Sequence, residues 1–248
     1  MYLTEPKFVD IVRQQFQFKM NTNASAFTKL ILLQLVFLFM NHSYGTSLGN
    51  NTIQIFEQSF SNTSIVGATW LWAFFLGFLL TSAAQRNGSF TFVTNRLSYH
   101  VANFLFMLTA SIIGGLTAVL MGSVLKLYAL LRFEDIIISS QQGLFAAPAD
   151  FFIQLATAIA YTMLFFMLSY TIGMFIQLNK IFLILFILGW IILAMIDSTW
   201  AGFPLLQHIF EFFWHEHSIT IFLLKVSGTV LGLFAISVGF TNHLEVKR

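Results

Sequence analysis

Apolar residues in this chain come in long unbroken runs separated by short polar connections, with no strand-like alternation. The runs at about 26–43, 66–84, 101–125, 151–176, 181–197 and 219–241 are apolar on every helical face, and roughly 20 such residues suffice to cross the ~30 Å hydrocarbon core of a bilayer. Six transmembrane helices are predicted. A transmembrane barrel would alternate polar and apolar positions, so it is disfavoured. Ahead of the first run, Phe8, Val12, Phe16 and Met20 recur every fourth position while Asp10, Arg13, Gln14 and Gln15 lie elsewhere around the helix. That spacing predicts an amphipathic helix within residues 1–25, lying in the membrane interface or packed on a partner. Thr4 is placed to cap it, with Glu5 and Pro6 in a first turn that tolerates a negative charge and a missing N–H. The first apolar run follows basic residues, as a signal peptide would, yet no convincing small-x-small cleavage site follows it, and a retained anchor is expected.

Composition agrees with this class. Of the 248 residues, 57% are apolar and 9% charged, with a mean hydropathy of +0.80, whereas a soluble domain carries about 25% charged residues. Six spans leave no room for a large soluble domain. The absence of cysteine excludes disulfides, thiolate metal sites and a cysteine nucleophile. With a net charge of +2 nothing points to nucleic acid, and no such partner is expected.

Where the charges sit sets the orientation. With the N-terminus inside, Lys7, Arg13, Lys19, Lys29, Arg86, Arg96, Lys180, Lys247 and Arg248 are internal, against Lys126, Arg132 and Lys225 outside. That asymmetry places both termini in the cytoplasm. The expected fold class is thus an all-α polytopic membrane protein: a six-helix transmembrane domain over 26–248 behind an interfacial amphipathic helix at 1–25, in the plasma membrane and surrounded by its lipids.

Membrane helices associate where small residues let backbones approach. Ala110, Gly114, Ala118 and Gly122 recur every fourth residue in the third span, and Gly228 and Gly232, followed by Ala235 and Gly239, do so in the sixth. Both stripes are candidates for tight contacts, within the subunit or across a dimer. In the sixth span Lys225 lies some 27 Å from His243 along a helix rising ~1.5 Å per residue, which puts it at the outer rim. There it either pairs with Asp197 or snorkels.

The stretch 85–100, QRNGSFTFVTNRLSYH, mixes Phe90, Phe92, Leu97 and Tyr99 with Asn95 and Arg96. A plain hairpin needs no such aromatics; a short helix at the membrane face, offering side chains to a soluble partner, does. Together with the interfacial N-terminal helix, six spans, internal termini and the polar-aromatic external stretch 198–218, this segment, and TFVTNRLSYHVANFLF in particular, resembles the permease subunit of an ABC-2-type transporter of Gram-positive bacteria. The resemblance implies that 85–100 holds a coupling helix that docks on ATPase subunits through Phe90, Phe92, Arg96 and Tyr99. It also implies an external gate at 198–218 with Phe203, His208, Glu211 and Trp214, and pairing with a second permease, identical or related.

No G-x-x-x-x-G-K-[ST] sequence occurs, so ATP and Mg would be bound by a separate ATPase, with no cofactor and no catalysis expected on this chain. H-E-x-x-H is also missing. His208, Glu211 and His215 would share a helical face and could ligate a cation, but the neighbouring Phe210, Phe212, Phe213 and Trp214 explain the stretch as an interfacial anchor, and no metal is expected. The expected function is the permease of an ATP-driven exporter of a hydrophobic or amphipathic substrate. The alternatives are an energy-independent channel or secondary transporter, or a membrane-embedded enzyme.

Overall fold

A computed structural model describes residues 7–40, 44–48, 55–59, 62–82, 85, 96–132, 148–179, 181–199, 208, 211–213, 216 and 218–241. The apolar runs form helices: α1 (Phe8–Thr22), α2 (Ala24–Phe39), α3 (Thr63–Leu80), α4 (Arg96–Arg132), α5 (Pro148–Leu178), α6 (Ile181–Thr199) and α7 (Ile219–Thr241). Between α2 and α3, β1 (Tyr44–Leu48) pairs antiparallel with β2 (Ile55–Ser59), Tyr44 opposite Ser59 and Leu48 opposite Ile55. This hairpin adds to the helical expectation. Its sequence cue is a Gly- and Asn-bearing connection, GNNTIQ, between two short runs.

Among the described residues, α3, α4, α5 and α7 are long and apolar enough to cross a membrane, and α1 with α2, bent by 47°, make a fifth candidate. The remaining expected span, 181–197, corresponds to α6, whose described side chains end at Ile191. The chain therefore has the construction of a helical membrane protein. With 37 residues, α4 is about 55 Å long at ~1.5 Å per residue, well beyond the hydrocarbon thickness. It starts at Arg96, so Tyr99 and His100, expected in the connection 85–100 ahead of the span, belong to the long helix itself.

At the centre α5 packs against α3, α4 and α7. Tyr170, Phe166 and Met167 of α5, Phe106, Met107 and Ala110 of α4, and Ala73, Leu76 and Leu80 of α3 meet in one buried cluster. Lipid offers no hydrophobic drive for this contact, so close approach and hydrogen bonds must supply it. The approach is visible at glycines. A Cβ at Gly115 would lie 2.9 Å from the Ile159 backbone nitrogen, and one at Gly77 would run into Ser169 Oγ and, at 2.7 Å, the Phe166 carbonyl. Hydrogen bonds complete it: Gln34 Nε2 of α2 donates to Thr69 Oγ1 at 2.9 Å and Thr117 Oγ1 at 3.1 Å, clamping α2 to α3 and α4.

The α1–α2 bend falls at Asn23, whose side chain donates to the Lys19 carbonyl at 2.9 Å. The stripe that α1 buries is Val12, Gln15 and Lys19, rotated from the expected Phe8, Val12, Phe16, Met20 line. Phe8 is exposed, while Phe16 and Met20 are partly buried against the core. Packing on α4 selects this face.

Candidate functional site

Polar side chains gather where α1 meets the start of α4 and the end of α5. Lys19, Ser98, His100 and Asn103 are buried, as are Tyr99 and Tyr170. The Lys19 ammonium stands 4.4 Å from the centre of the Tyr99 ring. The Tyr99 hydroxyl donates to the Leu80 carbonyl at 3.2 Å, tying α4 to the last turn of α3. One turn along α4, Asn103 Nδ2 donates to the Tyr170 hydroxyl at 2.9 Å, and that hydroxyl is 2.8 Å from His100 Nδ1. Near the bend, Gln85 Nε2 donates to Asn23 Oδ1 at 3.2 Å. Four helices are thus cross-linked by polar contacts at one end of the bundle.

These residues carry chemistry because of where they are. An ionisable or strongly polar side chain inside an apolar bundle is costly unless it is partnered, and such groups mark functional positions. Lys19 is shielded by an aromatic face, and the His100–Tyr170–Asn103 set is a connected hydrogen-bonding relay.

The expected docking residues fare unequally. Phe90 and Phe92 lie outside the described residues, as does the side chain of Arg96. Tyr99 is a correction: it is 6% exposed, held by Leu80 and covered by Lys19, and offers no ring to a soluble partner. Helical periodicity turns it inward once α4 begins at Arg96.

The small-residue stripe of α4 is packed. Ala110, Gly114, Ala118 and Gly122 are all buried, a Cβ at Gly114 meeting Thr69 and Trp72 of α3 and Thr162 of α5. Asn62 closes over Gly122 and donates to the Ala118 carbonyl at 3.1 Å. In α7 the stripe is not packed among the described residues: Gly228 and Gly232 are exposed, and a Cβ at either meets nothing there within 4 Å. The buried face of α7 is set by Phe222, Val226 and Val230 instead.

Of the expected gate, Phe203 and Trp214 lie outside the described residues, His208 is exposed and Glu211 partly buried. Among the described residues no cluster of three metal-ligating side chains forms; His215 and His217 are outside them. Lys225 forms its ion pair with Glu216, correcting the expected choice between Asp197 and snorkelling. It also donates to the Phe212 carbonyl at 3.2 Å and lies 4.2 Å from the Phe212 ring centre. Tyr161 of α5 donates to the Phe213 carbonyl at 2.8 Å. Phe212, Phe213 and Glu216 are thereby fastened to Tyr161 of α5 and Lys225 of α7.

The buried set Lys19, His100, Asn103 and Tyr170 was not singled out from sequence, although one signal was available. His100 and Asn103 are three apart at the mouth of an apolar run, with Tyr99 beside them. Comparison with family models, with curated proteins and with solved structures finds no match to this chain.

Proposed function

We propose that this chain is the membrane-spanning permease subunit of an ATP-driven exporter of the ABC-2 type. It would form the pathway for a hydrophobic or amphipathic substrate, with ATP hydrolysis on separate subunits, a second permease copy or relative beside it, and both termini in the cytoplasm. The observation that carries the reading is the convergence at the two ends of the stretch 86–95. Gln85 is bonded to Asn23 at the α1–α2 bend, and Tyr99 joins Leu80 of α3 to Lys19 of α1. A partner pushing on that stretch would act on α1, α3 and α4 at once. The wall of apolar side chains on α3, α4, α5 and α7 suits a greasy substrate better than an ion or a sugar.

Buried Lys19 and His100 favour a second reading, a transporter driven by an ion gradient, because such proteins place ionisable groups inside the bundle. Purification of the tagged chain from its native membrane separates the two. Recovery of a P-loop ATPase in stoichiometric amount is the result expected. Substrate transport by the purified chain alone, with no ATPase recovered, overturns the proposal in favour of the gradient-driven alternative.

A further inference from the structure

The Tyr170 hydroxyl has one proton and two nitrogen neighbours, Asn103 Nδ2 and His100 Nδ1. With the Asn103 amide donating to the hydroxyl oxygen, the hydroxyl's own proton is satisfied by giving it to His100 Nδ1, in the tautomer whose hydrogen sits on Nε2. That Nε2–H is buried and, among the described residues, no group accepts it. Asn103 Oδ1 is likewise buried, and no described group donates to it. Turning the Asn103 amide over reverses each role: its oxygen then accepts from Tyr170, His100 Nδ1–H donates to Tyr170, and the groups left over are an amide N–H and a bare Nε2. Either arrangement leaves one donor and one acceptor unmade.

Both side chains are fully buried, as are the apolar Phe106, Phe166 and Met167 of the adjoining core. On α1, Gln15 is also buried with both amide atoms unpaired, one turn from Lys19 on the same face. Groups of this kind in protein interiors are completed by ordered water, which takes about three hydrogen bonds per molecule. Water, which both donates and accepts, can partner these groups whichever way the amide is turned.

We propose that the junction of α1, α4 and α5 is a binding site for ordered water, anchored on the His100 ring and the Asn103 amide on either side of the Tyr170 hydroxyl. The junction between α1 and the start of α4 is then wet inside an otherwise apolar bundle. This holds whichever transport reading is correct.

Hydroxyl radicals made by a brief X-ray pulse in H2(18)O are generated at bound water as well as in bulk, and they mark side chains within contact distance. The intact chain in lipid nanodiscs is exposed and its oxidised residues are quantified by mass spectrometry, each rate divided by that of the same residue in the detergent-unfolded chain. Tyr170 and His100 are expected to be marked several-fold faster than Phe106 and Phe166, which are equally buried. Equal normalised rates at all four overturn the proposal. A His100→Phe, Asn103→Leu double variant should lower marking of Tyr170 to the Phe166 level; undiminished marking in a folded double variant overturns the assignment of the anchors. Should that variant fail to fold, the comparison within the unmodified chain still decides.

Discussion

The Lys19 ammonium faces the Tyr99 ring at 4.4 Å, and both residues are buried. A cation over an aromatic face gains about 2 kcal/mol when water is excluded, against roughly 0.5–1 at an exposed site. The ring is itself held, since its hydroxyl donates to the Leu80 carbonyl. One tyrosine therefore fixes three helices relative to one another, and α1 is part of the bundle through a polar contact as well as through Val12, Phe16 and Met20.

Substitution at Tyr99 should accordingly act on folding. Tyr99→Phe keeps the ring under Lys19 and loses only the bond to Leu80, worth about 0.5–1.5 kcal/mol. Tyr99→Ala removes the ring as well, and aromatic truncations in packed interiors cost about 3–5 kcal/mol. Thermal unfolding in detergent, followed by size-exclusion chromatography, should rank the variants in the order unmodified, Phe, Ala. A Tyr99→Ala chain of normal stability would show that the ring is not a structural joint and would return it to the list of docking residues.

The two glycine stripes make a second test, because they look alike in sequence and differ in space. Gly115, beside the packed α4 stripe, has the Ile159 backbone where a Cβ would go, and backbone cannot move aside as a side chain end can. Gly115→Ala should destabilise by about 1–3 kcal/mol, the usual cost of overpacking. Gly232→Leu should leave the unfolding of the single chain unchanged, since Gly232 is exposed and a Cβ there meets nothing within 4 Å among the described residues. If Gly232→Leu lowers the assembled mass in mild detergent without altering that unfolding, the α7 stripe packs between copies.

How far the sequence foretold this arrangement follows from what its signals measure. Apolar run length reports where a helix can lie in hydrocarbon, and it located α3, α4, α5 and α7 well. It does not report which way a polar residue at the edge of a run turns: Lys19 enters the charge count only as an internal residue, and α1 buries it against α4. Tyr99, expected on a docking surface, turns inward for the same reason: its neighbours in sequence are polar, but its register in α4 is that of Asn103 and Phe106, which face the core. Small-residue spacing identified a packed face in α4 and an unpacked one in α7, because spacing describes a helix and packing needs its neighbour. For Lys225, depth along the helix was read from rise per residue, while its partner Glu216 lies in the chain just before α7 and no periodicity points to it.

The fastening of Phe212, Phe213 and Glu216 gives a third test. Lys225 holds this segment in three ways, by its ion pair with Glu216, its bond to the Phe212 carbonyl and its place against the Phe212 ring. Glu216→Gln removes only the charge of one partner. The pair is part-exposed, at 22% for each side chain, and ion pairs open to water contribute about 0.2–1 kcal/mol, so the segment should loosen little. Lys225→Met removes all three contacts and leaves Tyr161, bonded to the Phe213 carbonyl, as the hold from α5. Amide hydrogen exchange over 211–216 should therefore quicken clearly in Lys225→Met, slightly in Glu216→Gln, and most in Lys225→Met combined with Tyr161→Phe. Equal acceleration in Glu216→Gln and Lys225→Met would mean that the ion pair alone fastens the segment and that the Phe212 contacts are incidental.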